Sequence, residues 1–181
     1  AELGGLGAAY LNSVAWRIGG KRFMVDKHQS NFLLAGLIAR CIPQARVIHV
    51  RRDPVDACFS NLKEPFAPHA YSYSNDQRDV ANHYLNYDRL MSHLQHVAGD
   101  RILEVRYEEL VRDHKTQAAR ILDFTGLPDQ PGLDDISSNN SPVASASSVQ
   151  VREPIHGRNI GAWRRYSSEL SVLIGSLQVR T

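Results

Sequence analysis

The sequence is poor in the features that mark several large classes of protein. Among its 181 residues there are two cysteines, two methionines and two tryptophans, and the formal net charge is only +2. Cys41 and Cys58 form no metal-ligand pattern, so we expect reduced core thiols of a cytoplasmic protein. The small net charge gives no reason to expect a nucleic-acid or membrane surface. Any binding site for an anion must therefore depend on a local group of basic residues and not on the overall charge of the protein.

The sequence also lacks long apolar runs, internal repeats and a Gly-x-x-x-x-Gly-Lys-Ser/Thr phosphate loop. No run approaches membrane-spanning length, and the amino terminus does not read as a secretion signal. The apolar fraction of 43% and the charged fraction of 22% are ordinary for a globular chain, which is long enough for one domain with a core. Because the chain begins abruptly with Ala1 in a helix-like sequence, we expect a fragment.

One stretch, residues 46–60, combines a predicted strand with a predicted helix start. The β-branched run at 47–50 is typical of a covered parallel strand. Asp53 is the natural N-cap of the following helix, and Pro54 suits its first position. Free N–H groups at this helix end and the preceding Arg51 and Arg52 predict an anion site, most naturally for phosphate.

An ordinary alternative stays open, because arginines at strand ends often pair with a neighbouring carboxylate. Along the predicted helix, Val55, Phe59 and Leu62 share one face, whereas Asp56, Ser60 and Lys63 share another. Ser60 is therefore either a ligand hydroxyl or a solvated position.

The remaining patterns predict an α/β protein with a parallel sheet flanked by helices. Strands are expected at 22–25 and 101–106 as well as at 47–50, since the alternation of strand and helix favours right-handed βαβ units. Helices are expected at 8–18 (stopped by Gly19 and Gly20), from Asn31 to near Pro43, after Pro54, at about 76–97, from about Asp113 to Thr125, and at about 168–177. Residues 129–150 have the composition of a mobile loop, serving either as a lid or as a connector.

Two further groups of polar residues have positions suited to a ligand. Lys27 follows the strand predicted at 22–25, and open α/β sheets bind ligands at the carboxyl ends of their strands. It is either a surface lysine or a cation directed at a ligand. Residues 151–166 form a second basic cluster, in which glycines would let the backbone approach a ligand.

Taken in order, four motifs resemble the sulfotransferase family, in particular its bacterial branch similar to tyrosylprotein sulfotransferases. The motifs are Arg51-Arg52-Asp53-Pro54 with Ser60 eight positions after Arg52, Arg106 to Val111, Ile121 to Pro128, and Gly161 to Tyr166. The likeness extends from about Asp26 to Tyr166. It implies the P-loop-like fold of that family, here incomplete at its amino terminus, with residues 1–181 forming the carboxyl-terminal part of a single domain.

The resemblance also implies a donor substrate and a set of residues for it. The donor would be 3′-phosphoadenosine 5′-phosphosulfate, and no metal would be required. Arg52 and Ser60 would hold its 3′-phosphate, and Lys27 would lie beside the transferring group. Further donor contacts are expected from Tyr107, Ser147 and Arg158. The acceptor would be a hydroxyl of a carbohydrate, a peptide tyrosine or a small metabolite.

The chain departs from the family pattern at two points. Nothing before Asp26 resembles the family's loop for the 5′-phosphosulfate, and no general base is identified; His28 is one residue closer to the lysine than the histidine of cytosolic relatives. We therefore expect a truncated enzyme that is inactive alone and forms a homodimer or exchanges segments. The alternatives are a non-catalytic nucleotide-binding or scaffold remnant and a P-loop-type phosphoryl transferase.

Overall fold

A computed structural model describes residues 2–66, 70–129, 132 and 155–178. The helices are α1 (Glu2–Ile18), α2 (Ala35–Cys41), α3 (Pro54–Lys63), α4 (Gln77–Ala98), α5 (Tyr107–Arg112), α6 (His114–Thr125) and α7 (Ser171–Gln178). The strands are β1 (Val47–Arg51) and β2 (Ile102–Arg106), which pair in a small parallel sheet. Shorter 3-10 helices cover Gln29–Leu34, Ser72–Asn75, Gly99–Arg101 and Ala162–Tyr166. The mixture of helices with a parallel sheet confirms the α/β class.

The chain divides into two compact units. Unit 1 comprises residues 1–48 and 85–103, and unit 2 comprises residues 49–84 and 104–181. The boundary passes through β1, β2 and α4, so each unit contains part of these elements.

Unit 1 is built on a small apolar core. Its buried members are Ala35, Met91, Leu94 and Ile102, and Phe32, Val47, Tyr87, Leu90 and Ala98 pack against them. Helix α1 contacts α2, and a Cβ on Gly7 would lie 1.9 Å from the carbonyl oxygen of Cys41. Gly7 is therefore the position at which the two backbones approach closely. Helix α1 ends before Gly19 and Gly20, both of which have positive φ, as the sequence predicted.

The strand predicted at 22–25 is wrong, since this segment is irregular in the structure. Phe23 and Val25 are 45% and 90% exposed. A strand requires a neighbouring strand to satisfy its backbone groups, and within the described residues the sheet consists of β1 and β2. The strand expected at 47–50 does form, as β1, but the prediction that both of its faces are covered is wrong, because Ile48 and Val50 are 39% and 50% exposed. Alternating burial indicates a sheet that is covered on one face.

Unit 2 packs its helices around buried side chains of α3, α4, β2 and α7 and of Leu170, which immediately precedes α7. These include Cys58, Phe59, Val80, Ala81, Val105, Leu170, Leu173 and Leu177. Gln77 links the start of α4 to the start of α7, since its side-chain amide donates to the carbonyl of Glu169 (2.8 Å) and accepts from the N–H of Leu173 (3.0 Å). Helix α6 begins with the N-cap Asp113, which accepts from the N–H of Thr116, and it ends at the left-handed Gly126.

Candidate functional site

The turn between β1 and α3 has the capping that the sequence predicts. Asp53 is the N-cap, with its carboxylate accepting from the N–H of Asp56 (2.9 Å), and Pro54 occupies the first helical position. The N–H of Ala57 donates to the carbonyl of Asp53 (2.9 Å). Since Pro54 has no N–H, only Val55 among the first four helical residues keeps an N–H that these contacts do not use. The expectation of several free donors here is wrong, so an anion at this turn would depend on side-chain donors.

The guanidinium of Arg52 is held by two groups of unit 2. Its Nη2 donates to the carbonyl of Asn159 (2.6 Å), and its central carbon lies 5.0 Å from the centre of the Tyr107 ring. This distance is in the range of a cation–π contact. The Arg52 side chain is 22% exposed, and its Nε is buried without a hydrogen-bond partner in the described part of the chain. One strong donor of the arginine is therefore unused.

Arg51 makes the ordinary pairing that the sequence left open. Its Nη1 lies 3.5 Å from the Glu104 carboxylate, which is also 3.8 Å from Nδ1 of His49. The surroundings of the two arginines differ. Arg51 faces a carboxylate of β2, whereas Arg52 contacts an aromatic ring and a backbone carbonyl and lies 3.9 Å from the carboxylate of Asp56.

Asp56 is the buried charge of this site. Only 1% of the residue is exposed, and its Oδ2 accepts a 2.6 Å hydrogen bond from the N–H of Gly161. Its Oδ1 lies 3.9 Å from Nη2 of Arg52 and has no hydrogen-bond partner in the described residues. Gly161 has φ of +70°, a conformation that favours glycine. Although Asp56 shares a predicted helix face with Ser60 and Lys63, the Gly161 segment covers it and removes it from solvent.

Glu108 attaches the start of α5 to the same turn. Its Oε1 accepts from the N–H of Asp53 (2.8 Å), while its Oε2 is buried and, among the described residues, unpartnered. The hydroxyl of Tyr84 donates to the carbonyl of Arg52 (3.2 Å). The backbone of residues 52 and 53 is therefore fixed on both sides by side chains of unit 2.

The other predicted site residues lie in different surroundings. Ser60 is exposed on α3, two turns after Arg52, and Arg158 is exposed next to Asn159. Lys27 belongs to unit 1, where it is exposed in an irregular segment. Ser147 lies outside the described residues. The structure thus brings Arg52 and Tyr107 into contact, and the roles of all six residues stay predictions.

The neighbours of Lys27 are held by local contacts. The Tyr10 hydroxyl donates to the Asp26 carboxylate, and this contact is the main reason that the pKa of Tyr10 is raised. Nδ1 of His28 accepts from the N–H of Ser30 (3.2 Å), which makes His28 the N-cap of the 3-10 helix Gln29–Leu34. This capping gives His28 a structural role in the segment.

Both cysteines are buried, which confirms the prediction that they belong to the core, and both are free thiols in the structure. The Sγ of Cys58 lies 3.8 Å from the carbonyl of Val80, and burial together with the charge of Asp53 raises the pKa of this thiol to about 12.

Across the described residues, no helix could cross a membrane, and no cluster of three or more His, Cys, Asp or Glu side chains could hold a metal ion.

Sequence reasoning missed Asp56, Glu108 and Gly161 as members of the site. Asp56 has a local signal, since it follows Arg52 by four residues and opposite charges at this spacing meet on helices. The contact between Asp56 and Gly161 spans 105 residues, and that between Asp53 and Glu108 spans 55. No local pattern predicts either pairing.

This chain belongs to the sulfotransferase family, because the sequence model of that family matches residues 4–131. The match begins well before Asp26, where the resemblance was expected to start, and includes Lys27, Arg52, Ser60 and Tyr107. It ends before Ser147, Arg158 and the cluster Gly161–Tyr166.

A curated relative of the chain comes from Aquifex aeolicus (strain VF5), where it is described as an uncharacterized protein. It is 30% identical over 171 residues, and the alignment covers 93% of this chain and 22% of the relative. The chain therefore spans about a fifth of the length of that relative.

Proposed function

We propose that this chain forms part of a sulfotransferase that moves a sulfuryl group from 3′-phosphoadenosine 5′-phosphosulfate to a hydroxyl acceptor. The observation that carries the proposal is the contact of Arg52 with Tyr107 at the turn between β1 and α3, in a chain of the sulfotransferase family. A guanidinium is a strong ligand for phosphate, and an aromatic ring beside it suits a purine. The buried, unused Nε of Arg52 fits an anion at this position.

Each residue has a distinct proposed task in this reaction. Arg52 and Ser60 bind the 3′-phosphate of the donor, and Tyr107 contacts its adenine. Arg158, Ser147 and Lys27 complete the set, with Lys27 stabilising the bridging oxygen on which negative charge grows. The bond between sulfur and this oxygen breaks as the acceptor oxygen attacks the sulfur in line, and adenosine 3′,5′-bisphosphate leaves with the electron pair of that bond. The proton of the acceptor hydroxyl passes to solvent water. By analogy with phosphoryl transfer, positioning and electrostatic stabilisation supply most of the catalysis.

The carboxylates near Arg52 oppose anion binding, and they favour a second candidate function. Asp53, Asp56 and Glu108 all contact the turn, so Arg52 also has the surroundings of a structural residue. A non-catalytic scaffold remnant would keep this network without binding the donor. The two candidates differ in one measurable property, which is the affinity for a nucleotide that carries a 3′-phosphate.

Calorimetry with adenosine 3′,5′-bisphosphate tests the proposal, on this chain and on the full open reading frame that contains it. Ser60→Ala is the cleanest variant, because Ser60 is exposed on a helix and alanine favours helix. We expect it to weaken binding about tenfold, the effect of losing one hydrogen bond to a charged group. Ser92→Ala, an exposed serine of α4, is the matched control. Absence of binding, or equal binding by Ser60→Ala, contradicts the proposed site.

A further inference from the structure

Asp56 stands out as a buried charge whose two carboxylate oxygens face different parts of unit 2. Oδ2 accepts the N–H of Gly161 at 2.6 Å, whereas Oδ1 lies 3.9 Å from Nη2 of Arg52. With 1% exposure, the carboxylate is almost completely removed from water. A buried carboxylate is costly unless it is paired, so its position is fixed by these two contacts.

The Gly161 contact also determines where the neighbouring residues lie. Asn159, two residues earlier, uses its carbonyl to accept from Arg52 at 2.6 Å. The same guanidinium is therefore held by this carbonyl, by the Tyr107 ring and by the charge of Asp56. Nε is the donor of Arg52 that these contacts leave unused. Asp56 therefore contacts both Arg52 and the basic segment 155–166, and it helps to fix the position of each.

We propose that Asp56 is a positioning residue for the donor's 3′-phosphate, holding Arg52 and the Gly161 segment in the arrangement that binds it. This inference rests on the proposed function. A positioning residue and a simple counter-charge change the affinity for an anion in opposite directions when they are removed. Removing a negative charge near an anion site strengthens anion binding, whereas removing a positioning group weakens it.

Asp56→Asn separates these two roles because it removes the charge and keeps the shape. The asparagine oxygen can accept from either Gly161 or Arg52, but its NH₂ group then faces the other donor. One of the two contacts is lost in either orientation. Asp123→Asn, at an exposed position of α6 in the same unit, removes an equal charge without touching Arg52 or Gly161 and is the matched control.

The experiment compares the affinities of adenosine 3′,5′-bisphosphate and adenosine 5′-monophosphate by calorimetry, with thermal unfolding of each variant alongside. We expect Asp56→Asn to bind the bisphosphate about tenfold more weakly, a typical coupling within one polar network. Binding of the monophosphate should be unchanged, and Asp123→Asn should match the wild type with both ligands. A purely structural role would weaken both ligands equally.

The other possible outcomes overturn the proposal, and they show whether the positioning role of Asp56 or the proposed function is wrong. Unchanged or tighter bisphosphate binding by Asp56→Asn, or equal weakening of both ligands, overturns the positioning role alone. Asp56→Ser is the second variant if Asp56→Asn does not fold; if neither folds, Asp56 is a structural residue and the proposal is wrong. A wild-type protein that binds neither nucleotide overturns the proposed function, and this inference with it.

Discussion

Glu108 and Asp53 are joined by a hydrogen bond in which the backbone N–H of Asp53 donates to Oε1 of Glu108 across 2.8 Å. The bond fixes the N-cap of α3 to the first turn of α5. A side chain 55 positions away thus holds the turn that contains the candidate phosphate ligand Arg52.

Replacing Glu108 by alanine should therefore destabilise the protein. The substitution leaves the N–H of Asp53 without its partner, which costs about 1–2 kcal/mol for a partly buried group. Glu109→Ala changes the same residue type at the next position of α5 and is the control. Urea unfolding of both variants measures the difference, and equal midpoints would show that the bond contributes nothing.

The glycines of α1 should respond to alanine with opposite signs. Apart from the nearby backbone of its own helix, Gly5 has no described atom within 4 Å of a built Cβ, so Gly5→Ala should stabilise the helix by about 1 kcal/mol. At Gly7, the Cβ would lie 1.9 Å from a backbone oxygen of Cys41, so Gly7→Ala should destabilise by about 1–3 kcal/mol. Thermal unfolding of the pair tests this difference. Two variants with the same shift would contradict the close approach of α1 and α2.

Gly161→Ala should be more damaging than the same substitution at Gly157. Gly161 has φ of +70°, and its Cβ would lie 1.9 Å from Nη1 of Arg164. The left-handed conformation costs about 1–2 kcal/mol for a residue with a Cβ, and the end of Arg164 must also move. At Gly157 the nearest atoms to a built Cβ are 3.6 Å away, an ordinary contact distance. Denaturant midpoints for the two variants should differ accordingly, and a harmless Gly161→Ala would argue against the conformation.

The thiol of Cys58 should be unreactive at neutral pH. Raising its pKa from 9.0 to about 12 lowers the thiolate fraction at pH 8 by about a thousandfold, and the thiolate is the reactive form. In a Cys41→Ala background, the rate of iodoacetamide labelling should rise about tenfold per pH unit and level off only near the raised pKa. A plateau near pH 9 would indicate an ordinary thiol. Labelling in denaturant gives the reference rate.

Exposed apolar side chains of unit 1 support the expectation that the chain associates. Phe23, Val25, Leu33, Leu34 and Trp16 are between 45% and 90% exposed. Exposed apolar side chains favour association, since burying them is favourable. Light scattering at increasing concentration should give masses above that of one chain, and Val25→Lys should reduce them. A single monomeric mass at high concentration would contradict this prediction.

The sequence predicted the features that local chemistry decides. Asp53 and Pro54 act at a helix start, and the structure has them in the predicted roles. The helix predicted from about Asp113 to Thr125 also has nearly the predicted bounds. The strand at 22–25 failed because strand formation depends on a partner elsewhere in the chain. The buried position of Asp56 was missed for the same reason, since the segment that covers it follows about a hundred residues later.

The bridge that Gln77 makes to Glu169 and Leu173 has a consequence during synthesis of the chain. Together with the contact of Asp56 and Gly161, it joins residues about a hundred positions apart. Contacts of such long range close late in folding because the intervening chain must first be made and ordered. While α7 is still in the ribosome, α3 and α4 lack these partners, and the growing chain exposes surface that a chaperone can bind. Completion of unit 2 is therefore expected only after α7 has left the ribosome.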